Sequence, residues 1–341
     1  MPLFTRRSTM KIHVVLLFTL VLLVFQGCAN SFGTKGVEQH VAESVIEVLQ
    51  KSQRVLWIGA HPDDENSSGG LIARAKDLSG TLFMATLTRG ENSDIVWNGL
   101  CRGSQIGQAR AVLFAQSAAI FRADGYDIGP FVNGPRSLQE LDRQCPPGAP
   151  FQPWPPTARS DDVIKKWEKD WGKGDPVAYV VALLRRRRPN TVIAMDDYCG
   201  VSGHPEHIAV ARLLLRAIPL AASPGAYPET GKPWRVEHVI FSAHVIQPVV
   251  ASNYSKCEGS PPREPIEEVP TLETSRTHGM TYFRVACLVA KTYQNTMLQQ
   301  GATESQIQAE CARAERDAID AYQRGVRSYP IVEPYRIRSF N

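Results

Sequence analysis

Short apolar runs alternating with longer amphipathic stretches set the plan of this chain. Val55–Ile58, Thr81–Thr88, Thr191–Met195 and Val236–Val245 are rich in strand formers and too brief for buried helices. Between and around them, apolar residues recur at helical spacing in 37–50, 71–76, 105–121, 161–171, 175–188, 208–218, 281–299 and 304–324. Strand, helix and strand in alternation predict an α/β fold with a mostly parallel sheet flanked by helices. Two proline-rich loop insertions interrupt the pattern, Asp127–Pro156 and Gln247–Pro270. Their prolines and glycines exclude long regular elements, and loops of that length serve as lids or rims or are disordered.

The chain has 341 residues, enough for a full core, and an ordinary globular composition. Ile12–Phe25 is apolar, preceded by Arg6, Arg7 and Lys11: long enough for the apolar centre of a signal peptide, short for a membrane span. Gln26-Gly27-Cys28 follows, and a small residue before cysteine resembles a lipoprotein cleavage site with Cys28 as the lipidated residue. The expected organisation is therefore a signal peptide at 1–27, starting at Met1 or Met10, a tether at 28–36 and one domain over 37–341. The location is extracytoplasmic, either anchored to the membrane through Cys28 or secreted. The formal charge of +4 falls near +1 once the three leader cations are removed, which leaves no basic footprint for nucleic acid. Six cysteines remain, Cys101, Cys145, Cys199, Cys257, Cys287 and Cys311, an even number suited to an oxidising compartment. Cys145 could pin the first proline-rich loop, and Cys287 and Cys311 could pair across the last two helices.

The chemistry concentrates at strand ends. His61-Pro62-Asp63-Asp64-Glu65 follows the first strand, where ligand sites of open α/β sheets form. An imidazole among three carboxylates repels itself unless a cation sits there. Chance occurrence of that pentapeptide is on the order of 10⁻⁴. After the third strand comes His204-Pro205-Glu206-His207, with proline at the first helical position. That puts His204 at the cap and both imidazoles on one face. Arg89 and Glu91 place a guanidinium and a carboxylate at the end of the second strand, either as contacts for a substrate or as a salt-bridged strand end. Arg185–Arg188 reads as favourable charge at a helix terminus rather than a binding patch.

Ala60-His61-Pro62-Asp63-Asp64-Glu65 with a distant His204-Pro205-Glu206-His207 resembles the LmbE/PIG-L family of metal-dependent de-N-acetylases. The likeness runs from about Val55 to Tyr322 and is strongest over 55–76, 86–92 and 191–215. It implies a Rossmann-like fold with Zn²⁺, or another divalent metal, held by His61, Asp64 and His207. It implies Asp63 as general base, and His204 as the residue that stabilises the oxyanion or protonates the leaving amine. Two nitrogens and one carboxylate leave an open position, the pattern of catalytic zinc. Asp196 or Asp197 is the candidate for orienting His204. The implied substrate is an N-acetylated sugar or glycoconjugate. Leu113 stands where relatives often carry glutamate, and a serine-glutamine pair is absent near 322–326, which bears on the substrate rather than the metal. Two alternatives are a zinc hydrolase of another amide and a non-catalytic, metal-stabilised sugar-binding lipoprotein.

Overall fold

Every residue of β1 (Val55–Gly59) is buried, because the strand lies at the centre of the sheet and packs on both faces. The computed structural model describes residues 43–95, 99–145, 151–244 and 257–340. The expected signal peptide, the Cys28 lipidation site and the tether at 28–36 fall outside them.

Around β1 are β2 (Leu82–Thr88), β3 (Gly125–Phe131), β4 (Thr191–Met195), β5 (His238–Ser242), β6 (Glu267–Pro270) and β7 (Val332–Ser339). They form one seven-stranded sheet in the order β3-β2-β1-β4-β5-β7-β6. The first five positions are parallel, and β7 pairs antiparallel with both β5 and β6. Val55 stands opposite Leu82 on one side and Thr191 on the other, so the chain leaves β1 in both directions. The β1–β4 boundary is therefore the point where strand order reverses, and an open α/β sheet binds ligands outside the carboxyl ends of its strands there.

Alternate side chains of β1 feed two cores. Leu56 and Ile58 pack with α5 (Ser160–Trp171), α6 (Pro176–Arg187) and α7 (Pro205–Ala222), around Trp167 and Leu214. Val55 and Trp57 face α1 (Val45–Lys51), α2 (Gly69–Ser79), α3 (Ser104–Ile120) and α8 (Tyr282–Met297). Burial of each such side chain contributes roughly 1.5–3 kcal/mol. α9 (Glu304–Gln323) packs on α8 through Leu288, Ile307 and Cys311.

Among the described residues the helix expected over 37–50 spans Val45–Lys51, with Ser44 and Glu47 closing a capping box at its start; 37–42 lie outside the described residues. The structure corrects three expectations. The stretch expected to be irregular from Asp127 contains β3 and the short α4 (Leu138–Arg143); Pro130 is tolerated because β3 is an edge strand. The second proline-rich loop ends in β6, whose four residues form the opposite edge. β7 was not foreseen. Three disulfides join Cys101–Cys145, Cys199–Cys257 and Cys287–Cys311. The first pins the proline-rich loop at Cys145 and the third ties α8 to α9, as expected.

Candidate active site

β1 ends in a tight turn that Asp64 holds together. Its Oδ2 accepts the backbone amides of Ala60 at 2.7 Å and His61 at 2.9 Å, which turns Oδ1 outward. Asp63 takes φ +102°, a region non-glycine residues rarely occupy. Its amide is held at 3.0 Å by Glu65, whose other oxygen accepts the Tyr293 hydroxyl. Burial pushes the Glu65 carboxyl up to about 7.

After β4, Asp196 Oδ1 accepts the amides of Tyr198, Cys199 and Gly200, folding the loop back toward α7. Gly200 has φ +50°, and a Cβ there would meet the His207 Cβ at 2.7 Å. His204 caps α7 and Pro205 is its first residue, as the sequence predicts.

These two turns bring three atoms together. His61 Nδ1 and Asp64 Oδ1 are 3.4 Å apart, Asp64 Oδ1 and His207 Nε2 3.2 Å, and His207 Nε2 and His61 Nδ1 3.3 Å. A tetrahedral zinc ion about 2.05 Å from each ligand spaces its ligands about 3.3 Å apart, so the triangle fits one face of that tetrahedron. The imidazoles of His61, His204 and His207 also gather, with ligand atoms within 4.8 Å of one another. That set is wider than the triangle, and the triangle containing Asp64 is the better fit.

Each metal-facing nitrogen is aimed from behind. His207 Nδ1 bonds Gly200 O at 2.9 Å and Ser202 Oγ at 3.2 Å, leaving Nε2 for the triangle. His61 Nε2 bonds Glu206 Oε2 at 2.6 Å, leaving Nδ1. Such outer partners fix the tautomer and ring orientation of ligating histidines. Burial disfavours a charged His61, but Asp64 and Glu206 override it and push it up to about 10. Asp64 is held well below the usual carboxylate range: burial opposes this, but His207 and His61 outweigh it. A divalent ion relieves the same crowding by taking the place of a proton.

Asp63 lines the cleft, and its Oδ1 lies 2.7 Å from Arg110 Nη2; the same guanidinium donates to Pro62 O. Burial raises the Asp63 carboxyl against the pull of Arg110. His204 is lowered well below its ordinary value by burial and then by His207 and His61, which favours its neutral form. The cleft holds about 370 Å³, and its lining includes Asn92, Ser93, Asp94, Phe151 and Trp154.

Two pairs of expected residues sit elsewhere. Arg89 is exposed and Glu91 is buried, and neither lines the cleft. Glu91 Oε2 instead accepts the Asn133 amide at 3.1 Å, because Gly90 at φ +66° turns the chain inward. Its neighbours Asn92, Ser93 and Asp94 take the place expected of it at the cleft. Asp196 serves its own loop and Arg336, at 3.2 Å, while Asp197 pairs with Arg338 at 3.3 Å. Arg110, Asn133, Trp154 and Glu206 were not singled out from sequence. Glu206 stands inside the H-P-E-H motif, and its position between two histidines was the available signal.

A doubly wound α/β sheet with two histidines and one carboxylate converging at its switch point is the class of protein defined here. Residues 56–218 match the PIG-L family, described as GlcNAc-PI de-N-acetylase. Among curated relatives, a 1D-myo-inositol 2-acetamido-2-deoxy-alpha-D-glucopyranoside deacetylase of Geodermatophilus obscurus is 29% identical over 57% of this chain and 62% of its own. A protein of the same name in Rhodococcus erythropolis is 32% identical over 54% and 58%. The chain thus spans about three fifths of the length of these relatives. The solved N,N'-diacetylchitobiose deacetylase of Pyrococcus horikoshii shares the fold at TM-score 0.50 and 15% identity, with 85% of each chain covered.

Proposed function

We propose that this protein is a zinc-dependent hydrolase that removes an N-acetyl group from a GlcNAc-type amino-sugar conjugate outside the cytoplasm. The observation that carries the reading is the 3.2–3.4 Å triangle of His61, Asp64 and His207 with Asp63 beside it in the same cleft. The relatives' names supply the substrate class. Three disulfides among the described residues favour an oxidising compartment.

Zinc in such a site supplies Lewis-acid chemistry, polarising an amide carbonyl and making water a better nucleophile at neutral pH. Asp63 takes the proton from the attacking water and delivers it to the leaving nitrogen. Its raised carboxyl makes it a stronger base than an ordinary aspartate. His204, at the start of α7, faces the developing oxyanion, where one donor is worth roughly 2.7–4 kcal/mol. Asn92, Ser93 and Asp94 offer an amide, a hydroxyl and a carboxylate to sugar hydroxyls, and Phe151 offers a flat apolar face.

The test is acetate release by the soluble form beginning after Cys28, measured on N-acetylated glycans and, in parallel, on N-acylated amino acids. Release from the sugars is expected, together with loss of turnover and retention of zinc in Asp63→Asn. Turnover of the amino acids alone would move the protein to another amide. Full activity in Asp63→Asn would remove the assigned base, and a protein purified with zinc that holds none would sink the reading.

A further inference from the structure

Both oxygens of the fully buried Glu206 carboxylate are saturated with donors. Oε2 faces His61 Nε2 at 2.6 Å and Asn133 Nδ2 at 2.9 Å. Oε1 accepts the Gly134 amide at 2.6 Å and the Trp154 indole N–H at 2.7 Å. A carboxylate has about four acceptor sites, so none is left over. Three of the four donors come from the proline-rich insertion, at residues 133, 134 and 154. The same residues, with Phe151 and Pro153, form one wall of the cleft.

That wall is anchored independently of Glu206. Val132 O accepts Lys166 Nζ at 2.9 Å and Trp167 Nε1 at 3.1 Å. Glu91 holds the Asn133 amide, and Asn133 Oδ1 accepts the Asn92 amide at 3.1 Å. The Cys101–Cys145 disulfide ties the insertion to the segment before α3. Asn92 Nδ2 donates to Gln152 O at 2.8 Å, two residues before Trp154, so the Trp154 segment is held against the same wall.

We propose that Trp154 is a positioning residue for the metal centre, and that the insertion wall both faces the substrate and aims His61. The inference rests on the metal-site reading above. Holding Glu206 Oε1 keeps the carboxylate from rotating, and its other oxygen then fixes the His61 ring with Nδ1 in the triangle. Phe151 shares the wall but has no donor to offer Glu206, so it serves the substrate alone. The two aromatic residues of one loop thus have separable effects.

The experiment is zinc affinity by chelator competition on the full protein and its Trp154→Phe, Trp154→His, Glu206→Gln and Phe151→Ala variants. Trp154→Phe keeps the ring, loses the N–H and should bind zinc about tenfold more weakly, the low end for outer partners of a metal-binding histidine. Trp154→His restores a ring N–H and should recover part of that loss. Phe151→Ala should bind zinc like wild type and raise KM. Trp154→Phe added to Glu206→Gln should cost nothing further, since both act through one carboxylate. Wild-type zinc affinity in Trp154→Phe, or additive losses in the double variant, overturns the inference. Absence of zinc binding by the wild type instead overturns the metal-site reading itself. Should Trp154→Phe not fold, the indole N–H resonance of the wild-type protein provides the second measurement. It should lie downfield and exchange slowly, and it should move in Glu206→Gln; an unmoved resonance overturns the inference.

Discussion

Asp63 Oδ1 and Arg110 Nη2 are 2.7 Å apart, an ion pair at the wall of the cleft between a half-buried carboxylate and a buried guanidinium. Burial pushes Asp63 up, Arg110 pulls it down, and Asp64 pushes it up again, while His61 lowers it and Asp94 raises it. Removing the guanidinium withdraws the main force favouring the ionised base. An opposite charge at this range is worth roughly 1–3 pH units. In Arg110→Met the acid limb of the kcat/KM profile should therefore move to higher pH, so activity falls more at pH 6 than at pH 9. Arg110→Lys should move it less. A profile that keeps its shape in Arg110→Met would show that Asp63 does not carry the proton.

Glu333, on β7, closes the N-terminus of the motif helix α2. Its two oxygens accept the Gly70 and Leu71 amides, each at 2.9 Å, and Tyr335 donates as well. Burial outweighs these donors and pushes the carboxyl from 4.5 up to about 7. The folded protein then binds more protons than the unfolded chain between those values. Stability from this group is full below about 4.5, declines as pH rises through 7 and is flat beyond, a change on the order of 3 kcal/mol. Glu333→Gln removes that dependence. The stability of the variant relative to wild type should improve from pH 5 to pH 8 in urea titrations, and a constant difference would refute it.

Arg185 is buried at the end of α6 and its guanidinium reaches six backbone carbonyls beyond and within the last turn of α7. They belong to Leu220, Ala221, Ser223, Ala226, Tyr227 and Gly231. The four-arginine run is thus charge at a helix terminus, though Arg185 serves the terminus of a neighbouring helix. Arg186 and Arg187 pair with Asp127 instead. Removing Arg185 strands one buried and several part-buried acceptors, a fully buried one costing about 1–3 kcal/mol. Arg185→Ala should lose at least about 3 kcal/mol in denaturant unfolding, while Arg186→Ala, half exposed, should lose less than about 1.

What could be read from the sequence follows from how local each signal is. β1, β2 and β4 are buried on both faces, so each is a plain apolar run, and the histidines and carboxylates stand directly at their ends. The triangle was legible because its three corners, His61, Asp64 and His207, sit in two short motifs. Glu91 was misplaced because Gly90 reverses the side its neighbour faces, which needs a backbone angle that residue types alone do not give. β7 was invisible because Glu333, Pro334, Arg336 and Arg338 break its apolar pattern. Their partners, the α2 amides, Asp196 and Asp197, come from remote parts of the chain. Trp154 was hidden for the same reason, since its bond to Glu206 spans 52 positions.

The Cys287–Cys311 bond closes 24 residues across α8 and α9, on the far side of α8 from Tyr293, the residue that reaches Glu65. Cys311 is fully buried with Leu288 and Ile307, so the cross-link also lies within a small apolar cluster. A loop of that size costs the unfolded chain about 3 kcal/mol of conformational freedom in the chain-entropy picture. The Cys287→Ala, Cys311→Ala double variant should lose about that much stability. None of its atoms touches the cleft, so kcat and KM at 25 °C should match wild type. Unfolding in urea followed by fluorescence, without reductant so that the Cys101–Cys145 and Cys199–Cys257 bonds stay closed, measures the loss. If stability is unchanged while turnover drops, the helix pair acts on the site through Tyr293 and Glu65, and the bond is a brace for Asp63 rather than for the fold.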